Sequence, residues 1–196
     1  MKHPGMINSV INGSKDFFEW SEENFLKVKK IIANYPSGRE QSAIIPLLDL
    51  AQRQNKGWLT KNIIEKVAET LSMSFIRVME VASFYSMFNL EPVGKNFIQI
   101  CRTTPCWLRG SDKLLEVAKN VTGCNLGETS KDDKFTLVEV ECLGACCNAP
   151  MIQINDDYYE DLTEENFKHL LLKLKENEKI SSGSQIGRQS SEPKRK

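Results

Sequence analysis

The stretch Phe97-Ile98-Gln99-Ile100-Cys101-Arg102-Thr103-Thr104-Pro105-Cys106 runs from a short apolar strand straight into a C-x₄-C pair. A second stretch repeats the arrangement. Lys134 to Val140 alternates Phe135, Leu137 and Glu139 against Thr136, Val138 and Val140, a strand pattern, and leads into Cys142-Leu143-Gly144-Ala145-Cys146-Cys147. Both pairs therefore sit on loops at strand ends. Adjacent strands present two such loops side by side, and four thiolates can converge on one point.

Four converging cysteines suit an iron–sulfur cluster or a structural zinc. Zinc ribbons usually use C-x₂-C knuckles that aim both sulfurs at one ion. Pairs separated by three or four residues make wider loops, which favour a binuclear [2Fe–2S] cluster over zinc, with thiol–disulfide chemistry third. The loop residues agree. Thr103 and Thr104 offer donors to cluster sulfurs, Pro105 stiffens the first loop, and Gly144 and Ala145 let backbone approach closely. Spacing alone leaves the fourth ligand open between Cys146 and Cys147. Cys124, in a turn after a helix, reads as a buried structural thiol.

Outward from these pairs, Ser111 to Lys119 reads as a helix with Gly123 beyond its end. Met151 to Ile154 reads as a strand, Asn155-Asp156-Asp157 as a turn, and Tyr158-Tyr159 as a segment able to pair back. Thr163 caps a last helix over Glu164 to Lys175. The order β-α-β-β-α predicts an α/β sandwich. From Glu176 onward apolar residues nearly vanish, which predicts a flexible tail or a docking strand. Toward the N-terminus the pattern is helical. Ser21 caps a helix carrying Phe25, Val28, Ile31 and Ile32, stopped by Tyr35-Pro36-Ser37-Gly38. A second helix begins near Arg39 and aligns Ala43, Ile44, Leu47, Leu48 and Ala51. Thr60 caps a third, with Ile63, Ile64, Val67, Ala68 and Leu71 inward. Ser74 to Phe88 reads as a fourth, with Ile76, Val78, Met79, Val81 and Ala82 apolar. The predicted organisation is a helical bundle over 1–92, the cysteine-bearing α/β domain over 93–175, and a tail over 176–196.

All six cysteines lie between Cys101 and Cys147. The 26 basic and 26 acidic side chains cancel, so no overall charge draws the chain to nucleic acid or anionic lipid. No apolar run approaches the roughly 20 residues of a spanning helix, which predicts no membrane insertion. Met1 to Phe18 shows no secretory pattern, which makes a reducing compartment the expectation and metal chemistry a better reading than disulfides.

Several segments resemble one family closely. They are Tyr35-Pro36-Ser37-Gly38-Arg39, Gly57-Trp58-Leu59, Glu80-Val81-Ala82-Ser83-Phe84-Tyr85-Ser86-Met87-Phe88, Cys101 through Gly110, Glu141-Cys142-Leu143-Gly144-Ala145-Cys146 and Asn148-Ala149-Pro150-Met151. The chain is similar, from about Phe17 to about Leu174, to the small [2Fe-2S] peripheral-arm subunits of respiratory complex I, the NADH:quinone oxidoreductase. Ser83 departs conservatively from the threonine expected there. Gln185-Ile186-Gly187-Arg188-Gln189 resembles the extension of alphaproteobacterial and mitochondrial members. The resemblance implies a thioredoxin-like [2Fe-2S] ferredoxin domain preceded by an N-terminal helical bundle. It places the ligands on Cys101, Cys106, Cys142 and Cys146, leaving Cys147 a non-ligand. It also implies an FMN- and NADH-binding flavoprotein partner, other peripheral-arm subunits, and a place on the cytoplasmic side of the inner membrane. No G-x-G-x-x-G or P-loop occurs here, so the NADH site is expected on the partner. The rivals are the same module in an NAD-linked hydrogenase or formate dehydrogenase, and a zinc-stabilised interaction module.

Other signals take plainer readings. Phe84, Tyr85, Met87 and Phe88 read as core rather than a partner-facing patch. Trp58 and Trp107 read as packing anchors, Trp107 with a second role in shielding a cluster. Asp156, Asp157, Glu160 and Asp161 fit a turn and a helix start better than a cation site. His169 has no second nitrogen ligand nearby, and Lys194-Arg195-Lys196 reads as a solvated end.

Overall fold

The computed structural model describes residues 17–191, which form two compact units, one ending at Pro92 and the other starting at Val93. The secretory-signal reading and the Lys194–Lys196 reading lie largely or wholly outside the described residues.

The first unit is helical: α1 (Glu22–Ala33), a 3₁₀ turn (Glu40–Ala43), α2 (Ile44–Gln54), α3 (Lys61–Thr70) and α4 (Phe75–Phe84). Local chemistry sets its starts. The Ser21 hydroxyl accepts the Asn24 N–H, and the Thr60 hydroxyl accepts the Ile63 N–H, each satisfying a donor the helix cannot use itself. Leu47, Leu48, Leu59, Ile63, Ile64, Val67 and Val78 are sealed from solvent. Each such side chain stabilises the unit by roughly 1.5–3 kcal/mol before entropy is counted.

The expectations for the fourth helix and for the aromatic run after it fail here. The fourth helix stops at Phe84, not Phe88, and Tyr85 turns extended. The buried Gln52 captures the next segment instead: its Nε2 donates to Met87 O at 3.0 Å and its Oε1 accepts Asn89 N–H at 2.7 Å. Past the helix only Phe88 joins the core, while Tyr85 (40%) and Met87 (51%) are exposed; Phe84 (78%), the last helical residue, is exposed as well. Ile76 is also exposed rather than inward.

The second unit begins with β1 (Asn96–Cys101), followed by α5 (Thr104–Leu108), α6 (Ser111–Thr122), β2 (Glu128–Thr129) and β3 (Phe135–Val140). It ends with β4 (Ile152–Ile154), β5 (Asp157–Glu160), α7 (Glu164–Lys175) and β6 (Gly183–Ser184). One sheet runs β2-β3-β1-β4-β5-β6. β1 and β3 are parallel, joined through α6, and their register sets Asn96 opposite Phe135 and Cys101 opposite Val140. β4 and β5 form the expected antiparallel hairpin, and β6 adds parallel to β5. Ile98, Ile100, Phe135, Leu137, Leu114 and Phe167 pack the core. Thr163 and Asn166 close a reciprocal capping box on α7. Gly94 admits the β3 backbone: a Cβ there would lie 2.7 Å from Phe135 N and C, and its N–H donates to Thr136 Oγ1 at 2.7 Å.

Candidate metal centre: a thiol cage at the ends of two parallel strands

Because Cys101 ends β1 opposite Val140, the loop after β1 and the loop after β3 emerge at the same end of the sheet. Thr104-Pro105-Cys106-Trp107-Leu108 turns back as the short helix α5, where the sequence pattern suggests only a stiff loop. Pro105 fits its first turn because no helical donor is needed there. Gly144, at φ +86°, supplies the left-handed bend of the second loop, and open space surrounds the position where a Cβ would sit.

The sulfurs of Cys142 and Cys146 are 3.3 Å apart. Two thiolates on one tetrahedral metal with bonds of about 2.3 Å stand about 3.8 Å apart, so this pair is nearly in place. Cys101 interacts with both Cys106 and Cys142, and Cys146 is close enough to act electrostatically on Cys101 and Cys106. Cys101 and Cys106 are buried and Cys142 and Cys146 exposed, so one edge of the cage opens to the surface. Among the described residues no three His, Cys, Asp or Glu side chains close tightly enough for a single metal ion. Cysteine thiolates in fours hold both structural zinc and iron–sulfur clusters, and here they come in two pairs, one on each of two adjacent loops. That donor set fits a [2Fe–2S] cluster.

The thiols differ in acidity. Burial would raise Cys101, but hydrogen bonds from the Thr103 hydroxyl, the Thr103 and Leu143 amides and Cys106 outweigh it and hold the thiol below its ordinary range. Burial pushes Cys106 up to about 12, against a lowering hydrogen bond from the Met151 amide and with Cys101 adding to the rise. The Gly144 amide, followed by Cys146 and Thr103, lowers Cys142. Cys146 is raised by its hydrogen bond with Cys142 and by burial. Each pair thus sets one thiol lowered from its ordinary range beside one that is raised. A bound cation would favour the thiolate form of the raised one as well.

Thr103 Oγ1 sits 3.4 Å from Cys101 Sγ, and Gly144 N–H donates to Cys142 Sγ at 3.4 Å. Thr104, the other hydroxyl singled out in the sequence, is exposed in α5. Cys147 is exposed, with its sulfur 3.3 Å from Ser191 Oγ. Cys124 is buried in the core, its sulfur 3.0 Å from Thr122 Oγ1. Trp107 is 54% exposed, so it is not a packing anchor; Trp58 is half-buried. His169 is exposed. Glu160 and Asp161 do not face a cation site. Glu160 accepts from Asn148 Nδ2 and Ser191 N, and Asp161 from Arg188 and Ser184.

Sequence reasoning misses the residues that brace the second loop. The Tyr158 hydroxyl donates to Leu143 O at 2.7 Å, and Arg109 Nε to Ala149 O at 3.4 Å. Neither has a local signature, since each partner is fixed by the sheet.

Fold and site together define a thioredoxin-like α/β domain whose two parallel strands end in a shared four-thiol cage. The family model for the thioredoxin-like [2Fe-2S] ferredoxin matches residues 28–175, and the chain belongs to that family, whose cofactor is one [2Fe–2S] cluster. It is 52% identical over 186 residues to the mitochondrial NADH dehydrogenase [ubiquinone] flavoprotein 2 of Dictyostelium discoideum, covering 95% of this chain and 75% of that protein. It is 56% identical over 158 residues to an NADH-quinone oxidoreductase subunit of Rickettsia bellii, covering 81% of this chain and 95% of that one. Among solved structures, an NAD+-reducing [NiFe]-hydrogenase shares the fold at a TM-score of 0.60 and 19% identity, over 66% of this chain but 23% of the longer hydrogenase chain.

Proposed function

We propose that this chain is the small electron-transfer subunit of an NADH:quinone oxidoreductase, holding one [2Fe–2S] cluster through Cys101, Cys106, Cys142 and Cys146. The observation that supports it most is the β1–β3 register, which sets both cysteine loops at one sheet end, in a chain 56% identical to a bacterial subunit of such an enzyme. When bound, the cluster takes up and returns single electrons. The protein's own part is to supply the thiolates, to aim Thr103, Leu143, Gly144 and Met151 donors at their sulfurs, and to bury one side of the cage.

The oxidoreductase activity belongs to the assembly. The partner is a flavoprotein subunit with FMN and the NADH site, alongside other peripheral-arm subunits. The chain works peripherally on the cytoplasmic side of the inner membrane; among the described residues no helix is long and apolar enough to cross one. Trp107 and Leu108, exposed beside Cys106, offer apolar surface to such a partner. The helical bundle (1–92), the cluster domain (93–175) and the tail (176–196) act as its three parts.

The test is the purified full chain. Iron and acid-labile sulfide should occur in equal amounts, with a brown colour that bleaches on dithionite and yields a paramagnetic signal. A colourless protein holding zinc would end the electron-transfer reading. Co-purification with a flavoprotein rather than a hydrogenase subunit would decide the assembly.

A further inference from the structure

We propose that Arg188 is a positioning residue for the cage: it holds the Cys146–Asn148 turn in the shape that presents the Cys146 sulfur. The inference rests on the ligand reading above.

The tail reaches this turn along the sheet. β6 pairs with β5, Gly183 opposite Tyr159 and Ser184 opposite Glu160, and Arg188 and Gln189 beyond it bond to Cys147 and Asn148 of the cysteine loop. There the Arg188 guanidinium forks. Nη1 donates to Asp161 Oδ1 at 3.1 Å, while Nη2 donates to Cys147 O at 3.1 Å and Asn148 Oδ1 at 2.6 Å. Asp161 has a side chain only 4% exposed, and its other oxygen accepts Ser184 Oγ–H at 2.6 Å. Asn148 donates in turn to Glu160 Oε2 at 2.5 Å and Gln189 O at 2.8 Å, and Ser191 N–H donates to both Glu160 oxygens at 3.0 Å.

The turn so held starts at Cys146. The two groups that Nη2 grips are one and two residues beyond the ligand. Glu160 and Asp161 are two buried acids, and Arg188 is a cation that pairs with the second of them. A planar guanidinium can grip a carboxylate and a loop at once; an ammonium cannot reproduce that geometry. Losing it would leave Asp161 short of its charged partner and free the turn to move.

A guanidinium that merely compensates buried acids would affect stability alone. A positioning role also changes how firmly the cluster is held and its potential. The experiment uses full-length protein reconstituted with iron and sulfide, as wild type, Arg188→Gln and Arg188→Lys. R188Q should take up the same iron but lose its visible absorbance to a chelator about tenfold faster, as loss of one charge-assisted hydrogen bond implies. Its midpoint potential and its paramagnetic signal should both shift, because the turn that presents the Cys146 sulfur is no longer held. R188K should restore stability, since the charge facing Asp161 returns, but neither the slow release nor the potential, since the fork does not. If R188Q does not fold, Ser184→Ala removes the hydroxyl that ties Asp161 and receives the Arg188 N–H; release should then be about fivefold faster. A loaded wild type beside a folded variant with unchanged release and potential overturns the inference alone. A wild type that binds no iron overturns the ligand reading, and this inference with it.

Discussion

Replacing Thr103 with valine tests the electrostatics of the cage with little disturbance of the fold. The hydroxyl lies 3.4 Å from Cys101 Sγ, and toward a ligated thiolate it can only donate. Thr103 also stands at the N-cap of α5, but its side chain makes no capping bond there, so valine costs the helix no cap. Valine keeps the branched shape and removes one donor. Such a donor stabilises the reduced, more negative state more than the oxidised one. If the difference is comparable to a net hydrogen bond of about 0.5–1.5 kcal/mol, the midpoint potential falls by roughly 20–60 mV, using about 59 mV per 1.4 kcal/mol for one electron. The amides of Thr103 and Leu143 still donate to the same sulfur, which places the expected fall in the lower half of that range. The assay is a redox titration followed by the paramagnetic signal, with Thr103→Ser as a control that keeps the hydroxyl. A T103V potential equal to wild type, or raised, with iron content unchanged, would refute the claim that Thr103 donates to the cage.

In the metal-free protein, Cys142 should be alkylated before Cys146 as pH rises. Both are exposed, but Cys142 is lowered and Cys146 raised, so the Cys142 thiolate forms at lower pH; mass-spectrometric mapping that finds Cys146 reacting first would reverse the assignment. Cys146→Ser should lose or alter the cluster and Cys147→Ser retain it, read by iron content and visible absorbance. Gly94→Ala would press a methyl to 2.7 Å from β3 backbone that cannot rotate away. It should cost about 2–4 kcal/mol through overpacking and the strained Gly94–Thr136 bond, seen as a lower denaturation midpoint with cluster content unchanged in the cold.

What is legible in the sequence is what depends on near neighbours. Ser21, Thr60 and Thr163 announce helix starts because each hydroxyl acts on an amide three residues on. The alternation in Phe135 to Val140 and the cysteines beyond it are legible for the same reason. The early end of α4 is not, because Gln52 reaches 35 and 37 residues along the chain to take Met87 and Asn89. Arg188 stands out only through resemblance. Its partners Asp161, Asn148 and Cys147 lie 27 to 41 residues away, and only the sheet brings them together. Tyr85 and Met87 mislead because helical spacing ends with the helix at Phe84.

The charge of four thiolates poses a problem that the protein solves with amides rather than cations. Arg102 directly follows Cys101, yet it pairs with Asp112 and with Glu139 at 2.9 Å. Its charge is therefore neutralised by carboxylates. The sulfurs instead receive N–H groups from Thr103, Leu143, Gly144 and Met151. Backbone dipoles fixed by strand ends and tight turns need no counter-ion and no side-chain ordering when the site's charge changes by one electron. A lysine or arginine set against the sulfurs would favour the reduced state far more strongly and would reorganise with each transfer. Amide donation to the sulfurs keeps both redox states in one geometry, which is what a one-electron carrier requires of its scaffold, and it follows directly from placing both cysteine pairs where strands end and backbone N–H groups fall free of the sheet.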